Sequence, residues 1–303
     1  MPKPERLITG FGIALQGYAI YCVLMWALGV PNWLLVPILV LPKRPLGYFG
    51  AWLLYMIGTY VMNGMLGSEL VRKAQLEADQ IAAQQIQQTL HPQKLEELPG
   101  YKVETYYKPY REVGGDYFDV IELPNGRTLF AVADVSGKGM PAALLAANIQ
   151  ALVRSMANVD PDPLTLAGQI NKHLSRYTPA DRFATAVFIV LSRDTGELAY
   201  VNAGHDSPIV FCSGKTTLLE STGIPLGLFA GAEYKVGTAA IPPEGALLLF
   251  TDGLIDSIPV ENPTDRLRDA LAVDSRRTMA TIESLVDPGL NSDDVTILLL
   301  KRI

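Results

Sequence analysis

After residue 100 the chain is dominated by six short β-rich runs, at 101–108, 128–135, 186–191, 198–201, 246–251 and 295–300. Each is rich in Val, Ile, Leu, Phe or Tyr, which marks strands of a sheet. Two stretches, 141–156 and 164–177, interrupt the series with helical character. Asp194-Thr195-Gly196, set between apolar runs, is a hairpin turn. Strands and helices in this mixed order predict an α+β architecture with sheets at the centre and helices outside.

The first 67 residues read differently. They hold five charged side chains, Lys3, Glu5, Arg6, Lys43 and Arg44, with a local charge of +3. The whole chain carries −6, which leaves −9 for residues 68–303. No charge falls between Leu7 and Pro42, or between Pro45 and Ser68. A membrane-spanning helix needs roughly 20 apolar residues, so residues 1–67 are expected to form a two-helix membrane hairpin over about 7–30 and 46–67. Pro31, Pro37 and Pro42 break the chain between the two helices. A signal peptide is excluded by the length of the first run and by the second run after it.

Lys3, Arg6, Arg72 and Lys73 favour both ends on the cytoplasmic side. Lys43 and Arg44 oppose that, and a three-pass arrangement would accommodate them only by placing the large domain outside. The expectation is a multi-pass protein of the cell membrane with its large domain on the cytoplasmic side.

Residues 68–98 become polar and rich in Gln and Ala, with no glycine before 98 and no proline before Pro92. Ala74, Ala78, Ala82, Ile86 and Leu90 recur at the spacing of one helix face. Val71, Ala74, Ala78 and Ile81 alternate by three and four, the pattern of a short coiled coil. The segment is read as a linker helix that either packs on its own domain or pairs with a second copy as a homodimer. The remaining residues, 99–303, are expected to form the large domain.

Composition excludes several classes. Two cysteines, Cys22 and Cys212, cannot make a disulfide scaffold and suit a reducing compartment. An acidic chain without a basic patch or tail is not a nucleic-acid binder.

Asp116, Asp134, Asp252 and Asp293 stand where extended segments begin or end. Single aspartates at such places usually bond their own backbone in turns. Here Asp134 and Asp252 directly follow apolar runs, and glycines beside Asp116 and Asp252 permit close approach of a ligand to the backbone. The set offers only hard oxygen donors, which suits Mg²⁺ or Mn²⁺ and not Zn²⁺. Spacing alone leaves open whether the four converge.

The motifs around them resemble a known family. Glu112-Val113-Gly114-Gly115-Asp116-Tyr117-Phe118-Asp119 is followed by Ala133-Asp134-Val135-Ser136-Gly137-Lys138-Gly139-Met140-Pro141-Ala142-Ala143. Tyr200-Val201-Asn202-Ala203-Gly204-His205, Pro225-Leu226-Gly227, Phe250-Thr251-Asp252-Gly253 and Asp293-Asp294-Val295-Thr296 come later. Together they resemble the sporulation-protein-E-like branch of the metal-dependent (PPM-type) serine/threonine protein phosphatases, over about residues 86–303.

The resemblance implies a four-layer α-β-β-α sandwich with two central antiparallel sheets and two divalent cations, Mn²⁺ or Mg²⁺, at one edge. It implies metal ligation by Asp116, Asp134, the Val135 backbone carbonyl, Asp252 and Asp293, with Asp134 bridging. Asp294 and Asp119 are expected to play supporting parts. It also implies direct attack of a metal-activated water on a phosphoserine or phosphothreonine ester. The implied partner is a phosphoprotein, such as an anti-sigma-factor antagonist, in bacterial signalling.

Arg111, five residues before Asp116, could fork onto the substrate phosphate; its bland alternative is a solvated strand residue. Lys138 could meet phosphate at the start of the following helix. His205 is read as fixing the turn after its strand, and His91 and His173 as surface or helical residues. A rival reading is a catalytically silent phosphatase-like module that binds phosphoproteins or scaffolds a membrane complex. Retention of all four aspartates argues against it.

Overall fold

The computed structural model describes residues 45–90, 92, 98–157, 159, 162–179, 181–272, 278–287, 289–290 and 292–303. The chain divides into two compact units, Met1–Leu76 and Glu77–Ile303.

Helix α1 runs over Pro45–Leu90 without a break. It contains the stretch expected to make the second membrane span and most of the expected linker helix. No helix among the described residues is long and apolar enough to cross a membrane. The membrane hairpin and the multi-pass cell-membrane location are therefore corrected, and the sidedness assigned to the catalytic domain falls with them. The physical reason is that freedom from charge is not high hydropathy. Gly47, Gly50, Gly58, Thr59, Asn63 and Gly64, with Tyr48, Tyr55 and Tyr60, dilute the leucines and valines of this stretch. The expected first helix over 7–30 and the connection after it lie outside the described residues.

Among the described residues of the second unit, ten strands form two antiparallel sheets. One has the order β2 (Tyr117–Leu123), β3 (Arg127–Val135), β4 (Ala184–Ser192), β5 (Glu197–Ala203), β8 (Gly237–Ala240). The other has the order β1 (Tyr101–Lys108), β10 (Val295–Arg302), β9 (Ala246–Phe250), β6 (Ile209–Cys212), β7 (Lys215–Leu218). Helices α2 (Met140–Ala157) and α3 (Pro163–Tyr177) follow β3. Helices α4 (Asp252–Asp256), α5 (Pro263–Leu271) and α6 (Thr278–Leu285) fill the interval between β9 and β10.

Side-chain alternation along each strand builds the layers. In β3, Phe130 and Val132 face the other sheet and pack with Val187, Ile189, Leu247, Leu249, Leu298 and Leu300. Their neighbours Leu129, Ala131, Ala133 and Val135 face the opposite way, onto Ala142, Ile149 and Val153 of α2 and Leu166 and Ile170 of α3. In β10, Val295, Ile297 and Leu299 turn outward onto Leu254, Leu267, Met279 and Ile282 of the later helices. Three apolar interfaces thus stack helix, sheet, sheet and helix, the four-layer α+β sandwich expected from the sequence. Both faces of the central strands are buried, which is why they read as continuous apolar runs.

Candidate active site

Register brings the aspartates to one end of the sandwich. Tyr117 pairs with Ala133, so Asp116 at the entry of β2 lies beside Asp134 near the exit of β3. In the other sheet Ile297 pairs with Phe250, which sets the exit of β9 beside the entry of β10. The Thr251 N–H donates to the Thr296 carbonyl at 3.1 Å, carrying that ladder one pair further. Asp252 and Asp293 follow and precede these two threonines.

Asp116 joins the two sheets. Its Oδ2 accepts from the Thr251 hydroxyl at 2.8 Å and from the Thr296 hydroxyl at 2.5 Å. Its carboxylate is only 2% exposed. Burial first, then the charges of Asp134 and Asp294, push its pKa well up against the lowering pull of the two hydroxyls. Asp134 is pushed up to about 7 by burial, then by Asp252, Asp293, Asp294 and Asp206, and every one of those influences acts upward. Asp252 rises to about 6 through burial, then Asp293, Asp206 and Asp256. These carboxylates therefore sense one another as uncompensated like charges.

Asp293 is answered by a cation. Lys138 Nζ stands 2.6 Å from its Oδ2 and donates to the Ser292 carbonyl at 2.5 Å, with the ammonium 5.1 Å above the Tyr110 ring. Lys138 is thus held across the acidic end. Arg111 Nη1 comes within 3.9 Å of where a Cβ on Gly139 would stand, so its guanidinium borders the same Gly137–Gly139 loop. On the other flank Arg182 donates to the Ser136 carbonyl at 2.9 Å. The Val135 carbonyl faces Gly115, 3.1 Å from where a Cβ there would sit. Glycine at 115 leaves that oxygen uncovered.

Two supporting aspartates have separate duties. Asp294 accepts from the Tyr110 N–H at 2.7 Å and the Gly115 N–H at 2.5 Å, and so shapes the loop that delivers Asp116. Asp119 lies on β2, fully buried, and is held by Arg154 of α2 at 2.7 and 3.1 Å. That pair anchors a helix to the sheet. His205 is also buried: its N–H donates to Asn202 Oδ1 at 2.8 Å, and its Nδ1 pairs with the Thr185 hydroxyl at 2.8 Å. Burial lowers its pKa to about 4 against a weaker upward pull from the Phe250 carbonyl, so it is neutral near pH 7 and ties the turn in place.

Among the described residues no three His, Cys, Asp or Glu side chains stand together as a finished cage for a metal ion. Asp116, Asp134, the Val135 carbonyl, Asp252 and Asp293 gather at one end of the sandwich without closing into one. Their chemistry nevertheless fits a divalent cation. The donors are all oxygen, they are drawn out of water, and their raised pKa values report negative charge that a cation would relieve.

A stability consequence follows with a definite sign. An acid whose pKa is higher in the folded chain than its ordinary value favours folding most below that ordinary value. The benefit is lost as pH rises through the folded pKa. For Asp134 and Asp252 the window runs from about 4 to about 7. In a chelating buffer the melting temperature is expected to fall between about pH 5 and about pH 8. Saturating Mn²⁺ should flatten or reverse that slope, as calorimetric scans at stepped pH would show.

Sequence reading passed over Thr251, Thr296, Arg182 and the loop-shaping work of Asp294. A visible signal existed for three of them, since Thr251 abuts Asp252 and Asp294 and Thr296 lie within three residues of Asp293. Arg182 carried none.

Residues 124–303 match the family model described as Stage II sporulation protein E (SpoIIE). The chain is 27% identical over 161 residues to the phosphoserine phosphatase RsbP of Bacillus subtilis, covering 51% of this chain and 40% of that protein. The chain thus spans less than half the length of that relative. Among solved structures, the SiaA-PP2C domain of Pseudomonas aeruginosa superposes with a TM-score of 0.63 at 22% identity, covering 76% of this chain and 98% of that one. RsbX in complex with magnesium superposes with a TM-score of 0.57 at 21% identity, covering 69% and 98%. Fold and sequence match converge on one conclusion: the chain belongs to the Stage II sporulation protein E family.

Proposed function

We propose that this chain is a metal-dependent protein serine/threonine phosphatase that hydrolyses phosphoserine or phosphothreonine on a partner protein in sigma-factor signalling. The observation that carries the reading is the convergence of aspartates from both sheets at one end of the sandwich, with upward pKa shifts that a cation would relieve. The name phosphoserine phosphatase, borne by RsbP, supports the same substrate class. An anti-sigma-factor antagonist is the partner this family membership favours.

Asp116, Asp134, the Val135 carbonyl, Asp252 and Asp293 would hold two divalent cations, Mn²⁺ or Mg²⁺. When bound, such ions lower the pKa of a water and offset phosphate charge during in-line attack. The chain's own residues prepare that reaction. Thr251 and Thr296 fix one oxygen of Asp116. Arg111, whose Nη1 lies 3.9 Å from where a Cβ on Gly139 would stand, would fork onto the phosphate oxygens. Lys138 holds Asp293 and adds positive potential at the same loop. Cys212 takes no part: Phe211 pairs with Ala246, which puts Cys212 at the far end of its sheet from Asp252. Hydrolysis then proceeds without an intermediate bound to Cys212.

The test is phosphate release by the purified full chain from p-nitrophenyl phosphate and from a serine-phosphorylated peptide. It is run with Mn²⁺, with Mg²⁺ and with EDTA. Activity is expected with a divalent cation, absent in EDTA and restored on adding the ion back. A folded chain that binds Mn²⁺ yet releases no phosphate would transfer the reading to the silent, phosphoprotein-binding module. The linker-helix homodimer belongs to the same proposal, since Val71 and Ile81 are 59% and 53% exposed on α1. A monomer in sedimentation equilibrium would remove it.

A further inference from the structure

The last turns of α1 reach the loop that delivers Asp116. Gln87 Nε2 donates to the Gly114 carbonyl at 2.6 Å, and the Gly114 N–H donates to Gln87 Oε1 at 3.0 Å. One carboxamide thus satisfies both hydrogen-bonding groups of one backbone residue. The two bonds also fix which way the amide is turned, because the flipped side chain would set donor against donor and acceptor against acceptor.

We propose that Gln87 is a positioning residue for Asp116, holding the Gly114-Gly115-Asp116 loop in the shape that presents the carboxylate to the acidic cluster. The metal-binding consequence rests on the phosphatase reading; the ordering of the loop does not.

Three features support a positioning role over simple docking of a helix end. First, Gly114 is boxed in: a Cβ there would collide with the Tyr107 hydroxyl and stand 2.6 Å from the Asp294 carboxylate. The loop at this point has no side chain of its own to hold it, so its place is set by backbone bonds. Second, those bonds come from two sides. Asp294 takes the next N–H, that of Gly115, while Gln87 takes both groups of Gly114. The carboxylate that follows is then received by Thr251 and Thr296. Third, a long, flexible glutamine side chain gives up much rotational freedom when fixed. Two simultaneous bonds offset that cost, whereas one surface bond would not.

Asp294, Thr251 and Thr296 belong to the sandwich itself. Gln87 comes from α1, so the order of the Asp116 loop depends on the last turns of that helix being seated.

The experiment compares the full chain with Gln87→Met, which keeps length and helix propensity but removes both hydrogen bonds. Gln85→Ala, at an exposed position on the same turn, is the control. Amide hydrogen exchange at Gly114 and Gly115 and Mn²⁺ affinity by titration calorimetry are read for each. In Gln87→Met, exchange at Gly114 is expected to quicken by roughly tenfold. Mn²⁺ binding should weaken by about tenfold or more. The KM for a phosphopeptide at saturating Mn²⁺ should stay at the wild-type value, and Gln85→Ala should change none of these. Faster exchange with unchanged Mn²⁺ affinity would reduce Gln87 to docking the helix end and overturn the proposal. Unchanged exchange would overturn it outright. A wild-type chain that takes up no Mn²⁺ would instead sink the metal reading, and the exchange comparison would still decide whether Gln87 orders the loop.

Discussion

Asp134→Asn is expected to abolish phosphate release while making the metal-free protein more stable. The two effects share a cause. Asp134 receives like-charge repulsion from Asp252, Asp293, Asp294 and Asp206 on top of its burial, which lifts its pKa to about 7. Above that pH the folded chain carries an ionised carboxylate that the unfolded chain would hold at less cost. Asn removes the charge at nearly constant volume. At about pH 8 the gain should be about 1–2 kcal/mol, discounted for partial solvent access at this position, or roughly 3–6 °C in melting temperature. Activity moves the other way. Loss of the carboxylate proposed to hold the cations removes several kcal/mol of stabilisation from the reacting state, a fall of about 10³-fold or more. Scans in EDTA and phosphate release in Mn²⁺ measure the two arms. A lower melting temperature in EDTA would show that Asp134 is a structural residue, and near-normal turnover would remove it from the reaction.

That opposition of stability and function explains what could be read from the sequence and what could not. β3, β4, β5, β9 and β10 were legible because both of their faces are buried or nearly so, which leaves few polar residues to interrupt the pattern. β1 is only half-buried and was legible by its tyrosines and valine between Gly100 and Pro109. β2 was not. Asp119 and Glu122 break its apolar run, and it is chiefly the three-dimensional partner Arg154 that makes a buried Asp119 tolerable, helped by the Tyr117 hydroxyl and the Val120 N–H. β6 and β7 are four residues each and join through Ser213 and Gly214, both with positive φ. A turn of that type was there to be seen, but the flanking runs were too short and too exposed to mark strands. The membrane reading erred by treating a lack of charge as hydropathy.

At the site, position along the strands was legible and convergence was not. The intervals of 18, 118 and 41 residues between the aspartates are uninformative until Thr251 pairs with Thr296 and both hydroxyls meet Asp116. Gln87 was legible only as one glutamine among several on a polar helix. Its role depends on a loop 27 residues away, which no helical periodicity encodes.

Gly253→Ala should destabilise the fold and impair the site together, although local propensity favours the opposite. Gly253 lies in the first turn of α4, and alanine in a helix is ordinarily better than glycine by about 0.5–1 kcal/mol. Its φ is not in the left-handed region, so no backbone strain would accompany the change. The obstacle is space. A Cβ at 253 would run into the Asp294 carbonyl oxygen and carbon, with the Asp293 carbonyl carbon 3.3 Å away. All of these are main-chain atoms, so no rotamer can clear them. α4 and the entry of β10 would have to separate, at a net cost of about 2–3 kcal/mol, or roughly 5–10 °C. Asp252 and Asp293 sit on the two segments being forced apart, and a displacement near 1 Å between such groups can cost about 10²-fold in rate. Gly168→Ala supplies the contrast: that glycine is exposed within α3 and has nothing within 4 Å of its would-be Cβ. There propensity alone should act, raising stability by about 0.5–1 kcal/mol without touching activity. If the two variants melted alike, the close approach of α4 to β10 would not be what brings Asp252 and Asp293 together.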